Sequence, residues 1–162
     1  MAPSARRILG IDPGSLRTGY GIVDVRGNAV SPVAWGVIRT AGDDPFPDRL
    51  QKIHAELSGL IRLHRPTEAA VEKVFLARNA SAALKLGQAR GAAIVACGTH
   101  GLPVHEYSAR EIKSAATGYG AAPKEQVAGM VARLLGIRDP VSDDASDALA
   151  IAFCRAVTRD LS

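Results

Sequence analysis

A chain of 162 residues has room for one domain with a sizeable core and little space for a second. With 47% hydrophobic and 22% charged side chains it is not a disordered chain, and no apolar run reaches membrane-spanning or signal-peptide length, so a cytoplasmic protein is expected. The net charge of +4 suits a polyanionic partner.

Residues 8–11 form a continuous apolar run that reads as a strand buried on both faces, stopped by Asp12 and the breaker pair Pro13-Gly14. Residues 18–25 and 33–38 read as two further strands, joined through the turn signal Arg26-Gly27-Asn28 into an antiparallel hairpin. Leu50, Ile53, Leu57, Leu60 and Ile61 recur at helical spacing and predict an amphipathic helix over 47–64. Ala69-Ala70-Val71 leads into a short buried strand that delivers Glu72.

A helix over 79–98 follows, with Gly87 and Gly91 on its packing stripe. Glycine lowers helix propensity, so these positions imply close approach to another backbone, in the sheet or in a second subunit. Residues 102–107 read as the fifth strand, its proline near the start. Ser108 and Glu111 have the spacing of a capping box for a helix through Lys113. A loop over 118–123 precedes a helix over 124–135, and a last helix runs from about Asp143 to about Val157.

Three meandering strands followed by alternating helix and strand predict an α/β fold, a mixed five-stranded sheet with helices on both faces. Cys97 and Cys154 sit in apolar helical patterns without metal-type spacing and read as buried free thiols. His54, His64, His100 and His105 are scattered and read as surface or packing residues.

Four acids stand where acids are awkward. Asp12 and Glu72 each end a buried strand, and ligands of open α/β sheets gather at the carboxyl ends of strands. A charge there needs protonation, an Arg partner or a metal ion, unless it is a turn Asp bonding its own loop amides. Asp144 and Asp147, three apart at a helix start, share a face, and Asp143 and Asp147, four apart, would share one equally well. Capping is the competing use of these three, and one of them is expected to serve it. The apolar residues Ala148, Leu149 and Ile151 point this helix start inward.

Three or four carboxylates without a His or Cys cluster form the ligand set of a hard cation, Mg²⁺ or Mn²⁺. Two such ions suit phosphodiester hydrolysis. With four acids reserved for metal, 20 basic side chains face 12 acidic ones elsewhere, a surface that attracts phosphates. Lys124, beside a Gly-rich loop, reads equally as a phosphate contact or as an ordinary surface lysine.

Ile11-Asp12-Pro13-Gly14-Ser15 with Thr18-Gly19-Tyr20-Gly21 resembles the opening of the RuvC Holliday-junction resolvases, of the ribonuclease H-like nuclease superfamily. Its first half alone is also similar to the phosphate loop of actin-like sugar kinases and ATPases, whose fold needs a second domain that this length does not provide. Glu72 to Ala80, Ala83 to Gly91 and Asp144 to Ala150 also resemble RuvC signature blocks, so the likeness spans residue 8 to about residue 154.

The resemblance implies a single RuvC-type nuclease domain over residues 1–162 with the ribonuclease H-like fold. It implies catalytic and metal-binding roles for Asp12, Glu72, Asp144 and Asp147 with two Mg²⁺ or Mn²⁺ ions, and it selects Asp144 over Asp143. Lys113 and Lys124 inherit roles in catalysis or in binding the DNA backbone. Burial statistics favour Phe75 as a core aromatic, whereas the resemblance makes it a ring stacked on a base.

A DNA path is expected along Arg78, Asn79, Lys85 and Arg90, the first two foremost. The implied substrate is four-way junction DNA, cut symmetrically by a homodimer because a junction offers two equivalent strands. The helix over 79–98 is the expected dimer contact. The implied partner is a RuvA–RuvB branch-migration complex, with no membrane involved.

Overall fold

The first strand, β1 (Arg6–Asp12), places Ile8 on one face of the sheet and Leu9 and Ile11 on the other, all three fully enclosed. The computed structural model describes residues 5–74 and 79–158. After β1 come β2 (Arg17–Arg26), β3 (Ala29–Arg39), α1 (Phe46–His64), β4 (Glu68–Glu72) and α2 (Ala80–Thr99). The chain continues through β5 (Val104–Tyr107), α3 (Ala109–Thr117), α4 (Lys124–Leu135) and α5 (Asp143–Val157). The sheet order is β3-β2-β1-β4-β5; β1, β4 and β5 run parallel, and β2 and β3 antiparallel to their neighbours.

Helices cover both faces, as the sequence leads one to expect. On one side α1 and α2 pack over Leu9, Ile11, Ile22 and Val71. On the other α3, α4 and α5 pack over Ile8, Val23, Val25 and Ala70. Enclosing each aliphatic side chain of this size contributes about 1.5–3 kcal/mol, so the two layers hold the sheet ends in place.

Two strands differ from the sequence reading. β3 begins four residues before Val33 and takes in Pro32. It is an edge strand, and its register with β2 shifts between Ile22, opposite Ala34, and Val23, opposite Pro32. Val33 is thus the extra residue of a bulge, and the missing proline N–H falls where the ladder is already interrupted. β5 is shorter than expected, because the Leu102 N–H donates to the Cys97 carbonyl and closes the end of α2.

Of the two neighbours expected for the glycines of α2, the sheet is not the one. A Cβ added at Gly87, Gly91 or Gly98 would meet nothing within 4 Å, so among the described residues no backbone outside α2 lies against them. Within the chain, close approach occurs under α5. A Cβ at Gly10 would stand 2.2 Å from the Ala148 carbonyl oxygen, and one at Gly19 would stand 2.0 Å from that of Asp144. One at Gly21 would stand 2.8 Å from the Leu149 side chain. Gly10 and Gly21 are opposite each other in register, so the three form a trough in which α5 lies directly on the sheet.

The far end of α5 carries a buried polar cluster. Arg155, 4% exposed, donates from Nε and Nη2 to the two carboxylate oxygens of Glu68, at 3.2 and 3.1 Å, and from Nη1 to the Tyr107 hydroxyl. Arg6 adds two hydrogen bonds to Glu68, and His105 Nε2 lies 3.4 Å from it. Burial would push the Glu68 carboxyl up, but the Arg155 and Arg6 hydrogen bonds hold it below the usual range. Both cysteines are buried and free, their thiols pushed up to about 11 by burial.

Candidate active site

Asp12 and Glu72 stand one residue beyond the paired Ile11 and Val71, so adjacent parallel strands deliver both carboxylates to the same sheet end. Strand alternation turns both toward the α5 layer, since Gly10 and Ala70, two residues earlier, face α5 and its core. Gly19 is the register partner of Asp12, and the Asp144 backbone rests on Gly19. The glycine trough therefore sets the α5 acids beside the strand acids.

Sequence reasoning expected one of the three aspartates to cap α5. The Ser142 hydroxyl takes that place instead, accepting from the Ala145 N–H at 3.4 Å. Asp143 is exposed, whereas Asp144 and Asp147 are half-buried, so the fold separates Asp143 from the inward pair.

The electrostatics record the convergence. Asp12 is pushed up to about 7, first by burial and then by the charges of Asp147, Asp144 and Glu72, with Lys124 opposing. Burial and the Asp147 charge raise Glu72, against Lys113 and Lys124. Asp147 is raised by burial, against a hydrogen bond from Lys124, whose Nζ lies 3.0 Å from Asp147 Oδ2. That same bond raises Lys124.

Arg17, which sequence reasoning missed, holds Asp144 through an Nε to Oδ2 contact of 3.4 Å. Its only sequence signal is that it opens the strand next to the Asp12 loop. Lys113, half-buried on α3, lines with Lys124, Glu72 and Asp147 a cleft of about 280 Å³ walled by Ile112, Val127 and Ile151. A second cleft of about 380 Å³ lies on the α2 side, between Asp12, Glu72, Pro13, Val74 and Leu86.

Among the described residues no three His, Cys, Asp or Glu side chains already close around one point as metal ligands. Asp147 is drawn to Lys124 and Asp144 to Arg17, which accounts for the open arrangement. The donor chemistry nevertheless fits a hard divalent cation: four carboxylates converge, and burial together with the other three charges raises Asp12.

The other expected DNA contacts divide. Lys85 is exposed on α2. Asn79 is exposed, but its side-chain oxygen accepts from the Ala82 N–H as the α2 cap. The Arg90 guanidinium is engaged by the Glu106 carboxylate and the Glu72 carbonyl, so it braces the end of β4. Phe75 and Arg78 lie outside the described residues.

This sheet order, with acids at the ends of its first and fourth strands and on the last helix, defines a nuclease of the ribonuclease H-like class. Comparison with known proteins narrows the class. The family model described as crossover junction endodeoxyribonuclease RuvC matches residues 8–155, and the chain belongs to that family.

A crossover junction endodeoxyribonuclease RuvC of Geobacter sp. (strain M21) is 54% identical over 155 residues, covering 96% of this chain and 94% of its own. That of Methylococcus capsulatus is 58% identical over 148 residues, covering 91% and 88%. T. thermophilus RuvC in complex with a Holliday junction substrate superposes with a TM-score of 0.89 at 37% identity, covering 93% of each chain. A yeast mitochondrial Holliday junction resolvase, at 16% identity and a TM-score of 0.68, shares the fold, covering 93% of this chain and 78% of its own.

Proposed function

We propose that this chain is a structure-selective endonuclease that resolves four-way DNA junctions by paired, symmetric phosphodiester hydrolysis in recombination and repair. The observation that carries the reading is the meeting of four carboxylates at one sheet end, in a chain that belongs to the RuvC family. Residues 1–162 act as one nuclease domain.

Asp12, Glu72, Asp144 and Asp147 are the ligands for two divalent cations, Mg²⁺ or Mn²⁺. When bound, these supply Lewis acidity toward the scissile phosphate and a more acidic attacking water. The chain's own residues do the rest. The strand acids are fixed by the sheet, and the α5 acids by the glycine trough, so attacking and leaving oxygens meet a site already oriented. Lys124 is held at Asp147 and Lys113 beside it in the cleft, where each meets backbone phosphate charge. Phe75, Arg78, Asn79 and Lys85 extend the DNA path.

Two equivalent strands call for two sites, so the working form is a two-fold dimer. The exposed stripe of Leu84, Gly87 and Val95 on α2 supports its placement, since these small and apolar residues are left open among the described residues. The dimer works with a RuvA–RuvB complex in the cytoplasm; among the described residues no helix is long and apolar enough to cross a membrane.

The deciding experiment is cleavage of a synthetic mobile four-way junction with Mg²⁺ or Mn²⁺, wild type against Asp12→Asn, with binding measured alongside. Symmetric nicks lost in Asp12→Asn while junction binding survives are expected. Wild-type binding without cleavage under either metal would make the chain an architectural junction binder instead.

A further inference from the structure

Arg17 and Arg39 are register partners on β2 and β3, so their side chains leave the same face of the sheet about 5 Å apart at Cβ. The face is that of α5, because Gly19 and Gly21 continue the alternation of Arg17 beneath that helix. Both arginines are exposed, and Arg39 has no ion-pair partner among the described residues. Like charges directly opposed across a sheet are unfavourable by themselves, and the strain is relieved when an anion spans them.

The pair is also firmly seated. Buried Thr18 donates from its hydroxyl to the Gly14 carbonyl and accepts from the Gly14 N–H. Thr40 ties the other strand to the same loop through its N–H to the Leu16 carbonyl and its hydroxyl to the Ser15 carbonyl. The backbone that carries the pair is thus fixed, with the Arg17 guanidinium beside Asp144 and Arg39 opposite it in register, on the flank of the acids away from Lys113 and Lys124.

We propose that Arg17 and Arg39 form a phosphate clamp for the DNA strand as it leaves the four acids over β2 and β3, and that Arg17 serves as the exchangeable counter-ion of Asp144 when no DNA is bound. The proposal rests on the resolvase reading. Guanidinium forks match phosphate oxygens in pairs, so the ligand is a phosphodiester backbone contacted without base recognition. The Arg17 contact with Asp144 is loose and solvent-facing, with the arginine side chain 62% exposed, so it exchanges readily for a phosphate. A strand laid across the acids then has cations on both sides, lysines toward α3 and α4 and arginines toward the sheet edge.

The test compares wild type, Arg17→Ala, Arg39→Ala and, as a control remote from the site, Arg62→Ala. Binding of a labelled synthetic four-way junction is titrated in chelator at several salt concentrations, and Mn²⁺ binding to the DNA-free protein is followed by calorimetry. Each clamp variant is expected to flatten the slope of log affinity against log salt by roughly 0.9. The affinity lost between about 50 and 200 mM salt then shrinks roughly three-fold, equally for junctions of different sequence. Arg17→Ala is expected to tighten Mn²⁺ binding by freeing Asp144, while Arg39→Ala leaves it unchanged.

Wild-type slopes in both clamp variants, or an equal flattening in Arg62→Ala, overturn the clamp and leave the resolvase reading standing. Mn²⁺ binding that weakens in Arg17→Ala overturns the counter-ion role. A wild-type protein with no preference for the junction over linear duplex overturns the resolvase reading itself, and the clamp with it.

Discussion

Gly19→Ala tests the account of how the site is built. The added Cβ would stand 2.0 Å from the Asp144 carbonyl oxygen and 2.5 Å from its carbonyl carbon, both backbone atoms of a packed helix. Relief to an ordinary contact of about 3.4 Å requires α5 to lift from β2 by more than 1 Å, since neither backbone can turn aside. Overpacking of this kind costs about 1–3 kcal/mol, and the rigidity of both elements puts the cost near the upper value. For a chain of this length that lowers the melting temperature by about 6–12 °C.

The same shift carries Asp144 away from Asp12, whose register partner is Gly19. A displacement of about 1 Å at a reacting centre costs on the order of a hundred-fold in rate. Thermal unfolding followed by circular dichroism and single-turnover junction cleavage at a temperature where the variant is folded give the two readouts. A Gly19→Ala protein that melts and cleaves like wild type would falsify the trough as the device that positions the α5 acids.

Three further outcomes follow from the described geometry. Asp12 keeps its proton in the folded state to about pH 7 against about 4 when unfolded, so without metal the fold loses stability as pH rises from 4 through 7, by at most about 4 kcal/mol. Asp12→Asn should therefore melt higher than wild type at pH 8 in chelator and match it near pH 4; equal melting at pH 8 refutes the cost of ionising a buried Asp12 beside three other carboxylates. Glu68→Gln leaves the buried Arg155 guanidinium without its counter-charge, an expected loss of about 3–5 kcal/mol and roughly 6–20 °C in melting temperature, whereas a change below 1 kcal/mol means the cluster relaxes onto water. Gly87→Leu on the open face of α2 should leave the fold intact and turn the proposed dimer into monomers in sedimentation; a monomeric wild type, or a variant that stays dimeric, removes that face as the contact.

The hydrophobic periods were strong enough in the sequence to place every strand and helix, but not the packed face of α2, where Leu84 and Val95 are exposed and Ala89, Ala93 and Ala96 are buried. Asp12 and Glu72 were legible because a carboxylate after a buried run has few explanations. The capping residue of α5 was not, because Ser142 and three aspartates compete for one N–H and only backbone geometry decides between them. The glycines beneath α5 were not read as packing positions. A glycine within a helix announces itself by poor propensity, whereas Gly10, Gly19 and Gly21 lie in strands where their significance depends on which helix crosses them. Arg17 stayed hidden for a related reason, since its partner Asp144 is 127 positions away and meets it only through the tertiary crossing. Arg90 was expected on the DNA path, and the Glu106 carboxylate that engages it became visible only with the β5 register.

Because Ser142 closes the start of α5, no aspartate there is needed to keep the helix. On the proposed reading, loss of Asp144 or Asp147 should then disarm the protein without unfolding it, and a cell carrying such an allele should accumulate an intact chain that still binds junctions. The genetic signature is interference rather than absence. Expressed beside a normal copy, Asp144→Asn should lower survival of DNA damage below that of a strain with half the normal dose, while a destabilising allele such as Glu68→Gln should be silent beside it.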